Sequence, residues 1–180
     1  TLTCATVLPG TSGTSASTIA GGNNDLTFNF SGPTTVSGIT FGNVDDFTSS
    51  GPTNLTGTIT TNGSQSYSGA VTLVGGTVLA GTSGAFTGGT IAGGNNDLTL
   101  NFSGATAVNG TTFSNVNNFA SGGGGTTSLS GTITTNGAQT YTDAVTLGGA
   151  TILSGTSGAF TGGVNGAGND LTLNFSAATA

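Results

Sequence analysis

Few side chains in this 180-residue sequence could do chemistry. Six aspartates carry all of its formal side-chain charge: Asp25, Asp45, Asp46, Asp97, Asp143 and Asp170. There is no Lys, Arg or His, and Cys4 is the only thiol. Three chemistries deserve weighing. The first is a carboxylate pair at Asp45 and Asp46. Glycoside cleavage needs two carboxyl groups roughly 5–10 Å apart across a cleft, one of them with a raised pKa. Adjacent strand residues point to opposite faces, and the matching positions one repeat later are Asn117 and Asn118. No imidazole or amine is present to supply another acid, base or nucleophile. The sequence therefore predicts no catalytic residue, no enzyme activity and no cofactor.

The second is calcium binding. "GGNND" at 21–25 returns at 93–97, and "GAGND" stands at 166–170. Tandem calcium repeats need carboxylates on successive turns so that two can share an ion. Here the cluster comes once per long repeat, which leaves Asp25, Asp97 and Asp170 as weak metal candidates. Gly, Asn and Asp also tolerate turns and left-handed backbone, and turning the chain is the expected role of this stretch. The third is the lone thiol. With no second cysteine an internal disulfide cannot form, and Cys4 reads as a small core-filling residue.

Composition removes whole classes of partner. A typical soluble domain is about 25% charged; this one is 3% charged, with net charge −6. Nucleic-acid affinity rests on Lys and Arg at phosphates, and anionic membranes attract the same cations. Nucleic-acid partners and membrane insertion are therefore not expected.

The elements that position these residues are short strands. Apolar residues alternate with Thr, Ser and Asn between Gly/Asn turns, and no 3.6-residue period survives the glycines. Alternation places Leu26, Phe28, Phe30, Ile59, Val71, Leu73, Leu98, Leu100, Phe102, Ile133, Val145, Leu147, Leu171, Leu173 and Phe175 inward. It places Thr27, Asn29, Thr58, Thr60, Thr72, Thr99, Asn101, Thr132, Thr134, Thr146, Thr172 and Asn174 on an outward ladder. The strand candidates are "DLTFNF", "GITFGNV", "LTGTIT", "YSGAVTL" and "TVL".

Self-similarity organises them. "TSGAFTGG" occurs at 82–89 and 156–163, "GTITTNG" at 57–63 and 131–137, and "LTLNFS" at 98–103 and 171–176. Spacings of 72–74 residues give about two and a half copies, with phases near 1–71, 72–145 and 146–180. A sandwich of about 72 residues would bury too little apolar surface without disulfides or metal. A solenoid needs neither, because each coil covers its neighbour. The expectation is one all-β domain over 1–180: a right-handed parallel β-helix of about eight coils, roughly 40 Å long.

The stretch "GTITTNGAQTYTDAVTLGGATILSGTSG" at 131–158 resembles the repeats of filamentous-haemagglutinin-like secreted exoproteins and autotransporter passengers. That resemblance covers most of the chain. It implies a parallel β-helix exported to the bacterial surface or medium, acting as an adhesin or fibre on a host cell, a neighbouring cell or a glycan. The sequence begins and ends partway through the long repeat, and two explanations compete: the chain is a segment of a longer passenger, or its uncapped ends pair head-to-tail with copies of itself into a filament. Two alternatives stay open. Thr58–Thr60 and Thr132–Thr134 could belong to an ice-binding Thr array, and the Asp-bearing turns could hold calcium weakly.

Overall fold

A computed structural model describes residues 1–15, 17–37, 41–177 and 179–180. Eighteen strands and no helix are found among them. Every strand pairing between neighbouring coils is parallel. Alternate strands fall into sheets of ten and eight strands, and the chain forms a right-handed parallel β-helix, the hand that parallel crossovers favour. The start of the candidate strand "GITFGNV", residues 38–40, lies outside the described residues; its remainder opens the strand Phe41–Ser49.

Pairing registers define the coil. One column runs Thr6, Leu26, Phe47, Gln65, Gly84, Thr106, Thr127, Val145, Val164. A coil thus takes 18 to 22 residues, and eight steps of about 4.8 Å give a rod near 38 Å. We call this column the first face. The second runs Gly13, Thr34, Thr53, Val71, Ile91, Phe113, crosses the Val116–Thr135 bridge, and continues Ile133, Leu153, Leu173. The third runs Ile59, Leu79, Leu100, Ser121, Tyr141, Phe160, with Phe41 over Ile19 beneath it. Three faces resolve into two sheets because long strands turn a corner unbroken. Ile19–Phe30 and Phe41–Ser49 join the third face to the first. Thr53–Thr60, Val71–Gly81, Thr90–Phe102 and Thr112–Gly122 join the second to the third. Thr126–Thr134 and Ala144–Gly155 join the first to the second.

That rotation of the unbroken corner exposes the geometry of the long repeat. From Leu26 the register climbs three coils, through Phe47 and Gln65 to Gly84. The chain then passes two further faces before reaching Leu98, the repeat equivalent of Leu26. One repeat therefore advances three and two-thirds coils, about 18 Å along the axis, and each copy sits one-third of a turn away from the last. Leu26 lies on the first face, Leu98 on the third and Leu171 on the second.

Inside, Leu26, Phe28, Ile59, Val71, Leu73, Leu98, Leu100, Phe102, Ile133, Val145 and Leu147 are buried as their alternation requires. Four inward assignments need correction. Phe30, Leu171 and Phe175 are only half-buried, and Leu173 is 42% exposed. Leu171, Leu173 and Phe175 lie on the last described coil, and among the described residues no further strand pairs with theirs. Alternation sets direction, whereas cover comes from the adjacent coil. Cys4 is also corrected: it is exposed, outside the core.

The core carries polar side chains that alternation does not foresee. Gln65 Nε2 donates to the carbonyls of Ile59 and Ala80, and Tyr67 donates its hydroxyl to Gln65 Oε1 at 2.8 Å. Gln139 and Tyr141 repeat the arrangement on Ile133 and Ser154. Each tyrosine ring stacks flat on a phenylalanine one coil above, Phe86 or Phe160. Pairing satisfies these buried groups, which would otherwise cost about 1–3 kcal/mol apiece.

Candidate functional surface

The Gly/Asn/Asp stretches occupy corners. Gly22 and Asn23 have φ near +60°, as do Gly94 and Asn95, a backbone region that Gly and Asn tolerate best. The following asparagine then clamps the corner. Asn24 Nδ2 bonds the carbonyls of Leu2, Gly21 and Gly22, and Asn96 Nδ2 bonds those of Leu73, Gly93 and Gly94. In the third copy Asn169 Nδ2 reaches Leu147 O at 2.9 Å. Ala167 and Gly168 supply the positive φ there.

The aspartates serve the coil above. Asp25 Oδ1 accepts the Asp46 amide, and Asp46 Oδ1 accepts both the amide and hydroxyl of Ser64. Asp97 Oδ1 accepts the Asn118 amide and the side-chain amides of Asn117 and Asn118. Asp45 and Asp46 were expected on opposite strand faces, yet both are exposed. They sit at a corner, where the two-residue alternation of a flat strand lapses. Because successive repeats are rotated by a third of a turn, Asp25, Asp97 and Asp170 lie on three different corners. No two of them can share an ion. Among the described residues no group of three metal-ligating side chains is found.

Asp143 is the exception among the acids. It is 3% exposed, its Oδ1 accepts the Gly124 amide at 3.0 Å, and its Oδ2 has no hydrogen-bond partner. The first copy has Gly69 at this position, where a Cβ would run into the Gly51 backbone. The longer "GGGG" loop at 122–125 makes room for the carboxyl.

All twelve ladder residues point outward, exposed or half-buried. They do not form one array. Thr27, Asn29 and Thr146 lie on the first face; Thr72, Thr132, Thr134, Thr172 and Asn174 on the second; Thr58, Thr60, Thr99 and Asn101 on the third. Within a face the Thr pairs are interrupted. Val78 and Ala80 stand between Thr58–Thr60 and Thr99–Asn101. Ile152 and Ser154 stand between Thr132–Thr134 and Thr172–Asn174.

The outer surface is thus three strips mainly of Thr, Ser, Asn, Ala and Gly, interrupted by Val78 and Ile152, with carboxylates confined to the edges between strips. Large exposed apolar residues concentrate at the rod's ends. Val7 and Leu8 are 58% and 42% exposed on the first coil, and Val164 and Leu173 are each 42% exposed on the last. Val74 and Ile152 are exposed singly along the sides. Sequence reasoning missed this segregation, because it depends on which coil a residue joins. Comparison with family models, curated proteins and solved structures yields no match for this chain.

Proposed function

We propose that this chain is a non-catalytic, extracellular structural and adhesive rod whose end coils pair with further solenoid, including a second copy of itself, to build a fibre. One observation carries the reading. Charge is excluded from all three faces of one continuous parallel stack, whose outward positions carry mainly Thr, Ser, Asn, Ala and Gly. A strand edge offers a row of free backbone donors and acceptors. A head-to-tail contact between unlike ends propagates without closing. Strips of small hydroxyl and amide side chains suit contact with an uncharged surface such as a glycan. The absence of side-chain cations, which a trypsin-like protease requires at its cleavage site, suits exposure outside the cell.

Sedimentation velocity and negative-stain microscopy across a concentration series test the fibre reading. The expected result is rods that lengthen in steps of about 40 Å, and a Leu173→Asp variant that stays at unit length. Rods that never associate at high concentration would sink it. Binding to immobilised glycans without turnover is the expected adhesive behaviour, and glycan cleavage would refute the non-catalytic part.

The ice-binding and calcium alternatives have weaker support. The former lacks uninterrupted Thr pairs. For the latter, Asp25 meets Asp45 and Asp46 on the neighbouring coil at one corner, but Asp25 Oδ1 and Asp46 Oδ1 already accept backbone amides and the Ser64 hydroxyl. Among the described residues no group of three ligating side chains is found.

A further inference from the structure

Asp143 is the one aspartate that the fold buries. Asp25, Asp45, Asp46, Asp97 and Asp170 are exposed, whereas Asp143 is 3% exposed. Its Oδ1 accepts the Gly124 amide, and among the described residues nothing donates to its buried Oδ2. A buried carboxylate is costly unless it is paired and fully hydrogen-bonded. In most proteins Lys or Arg supplies the pairing charge, and this sequence contains neither, nor any His. A counter-charge for Asp143 has to come from solution.

Two departures from the repeat meet at this corner, which has a coil below it and a coil above. Elsewhere the corner column is glycine: a Cβ at Gly69 would meet Gly51, and one at Gly88 would meet Gly69. Asp143 stands in that column, with Gly162 of the next coil against its carbonyl. One coil below, the turn has grown. Ser49 bonds Thr53 across it in the first copy and Ser121 bonds Thr127 in the second, four residues apart in one and six in the other. The lengthened turn is the glycine run at 122–125, with positive φ at Gly123 and Gly124. Among the described residues nothing donates to the carbonyls of Gly123, Gly124 or Gly125. Carboxylate and carbonyl oxygens are the ligands that hard cations take. Calcium sites gain affinity from several carboxylates, whereas a single carboxylate balances a single positive charge. The loop covers Oδ2, so an ion enters as the loop lifts, and consecutive glycines ease that movement. The structure assigns to Asp143 and the 122–125 loop a binding site for one monovalent alkali cation.

The test is thermal unfolding of the 180-residue protein in sodium, potassium and choline chloride at equal ionic strength, with amide chemical shifts followed in parallel. A Kd on the order of 10 mM is expected, weaker than that of calcium sites with several carboxylates. At tenfold excess over Kd, sodium or potassium should raise Tm above its value in choline by about 3–6 °C. The Gly124 amide should shift saturably with the same cation and stay in place with choline. Asp143→Asn keeps an acceptor for that amide while removing the charge, and should erase both responses. Asp143→Gly, the residue of the first copy, should erase the Tm difference as well. Equal Tm in the three salts overturns the site, as does a Gly124 shift that never saturates or a cation response that survives Asp143→Asn.

Discussion

Raising the pH should unfold this protein through two side chains. Tyr67 and Tyr141 are its only tyrosines, both fully buried, each hydroxyl donating to a buried glutamine. Burial removes water from the phenolate and pushes both phenols far above their ordinary value of 10.0. The folded protein therefore keeps both protons while the unfolded chain releases them near pH 10. A raised folded pKa means that the tyrosines' contribution is intact below pH 10 and is lost as pH climbs above it. Each tyrosine costs the folded state about 1.4 kcal/mol per pH unit in that window. By about pH 11.5 the pair has removed roughly 4 kcal/mol, much of the stability of an ordinary domain. No Lys or Arg titrates over the same range. Tyrosinate absorbance and circular dichroism, followed together in an alkaline titration, should change in one cooperative step above pH 10. The double variant Tyr67→Phe, Tyr141→Phe should flatten the pH dependence while starting less stable, because Gln65 and Gln139 each lose a partner. Reversible ionisation of both tyrosines near pH 10, with the β signal intact, would refute the buried placement.

Other outcomes follow from the same geometry. A Cβ at Gly93 would meet the Val116 Cα and the Asn115 carbonyl, whereas one at Gly76 meets nothing. Gly93→Ala should therefore cost about 1–3 kcal/mol in urea unfolding, and Gly76→Ala should stay within about 0.5 kcal/mol. Gln139→Leu removes the acceptor of the Tyr141 hydroxyl and a donor to the carbonyls of Ile133 and Ser154, the latter keeping the Thr135 amide; a loss of about 1–3 kcal/mol is expected. Millimolar calcium should leave Tm unchanged, and a rise reversed by chelator would show that a corner carboxylate does bind the ion.

The sequence was most legible where local rules act alone. Leu26–Thr27–Phe28 and Thr58–Ile59–Thr60 point as period two requires, and the Gly/Asn stretches turn. What could not be read depends on stacking. The 72–74-residue spacing is no whole number of coils, since coils vary from 18 to 22 residues with their corner insertions, so the one-third-turn rotation is invisible without registers. Phe30 and Leu173 alternate as faithfully as Phe28 and Leu100, yet burial depends on a neighbouring coil. Gln65 and Gln139 are polar at inward positions, and only the carbonyls they meet explain them. Their one sequence trace is the repeated "QSY" and "QTY", with the polar residue two places before Tyr67 and Tyr141.

Stacking on a single axis is the premise of every step from repeat to surface to fibre. Spin labels at Thr27→Cys and Thr146→Cys, in a Cys4→Ser background, test it by pulsed dipolar spectroscopy. Both positions lie on the first face six registers apart, so one narrow distribution near 29 Å is predicted. A broad or two-peaked distribution would mean that the coils do not share an axis.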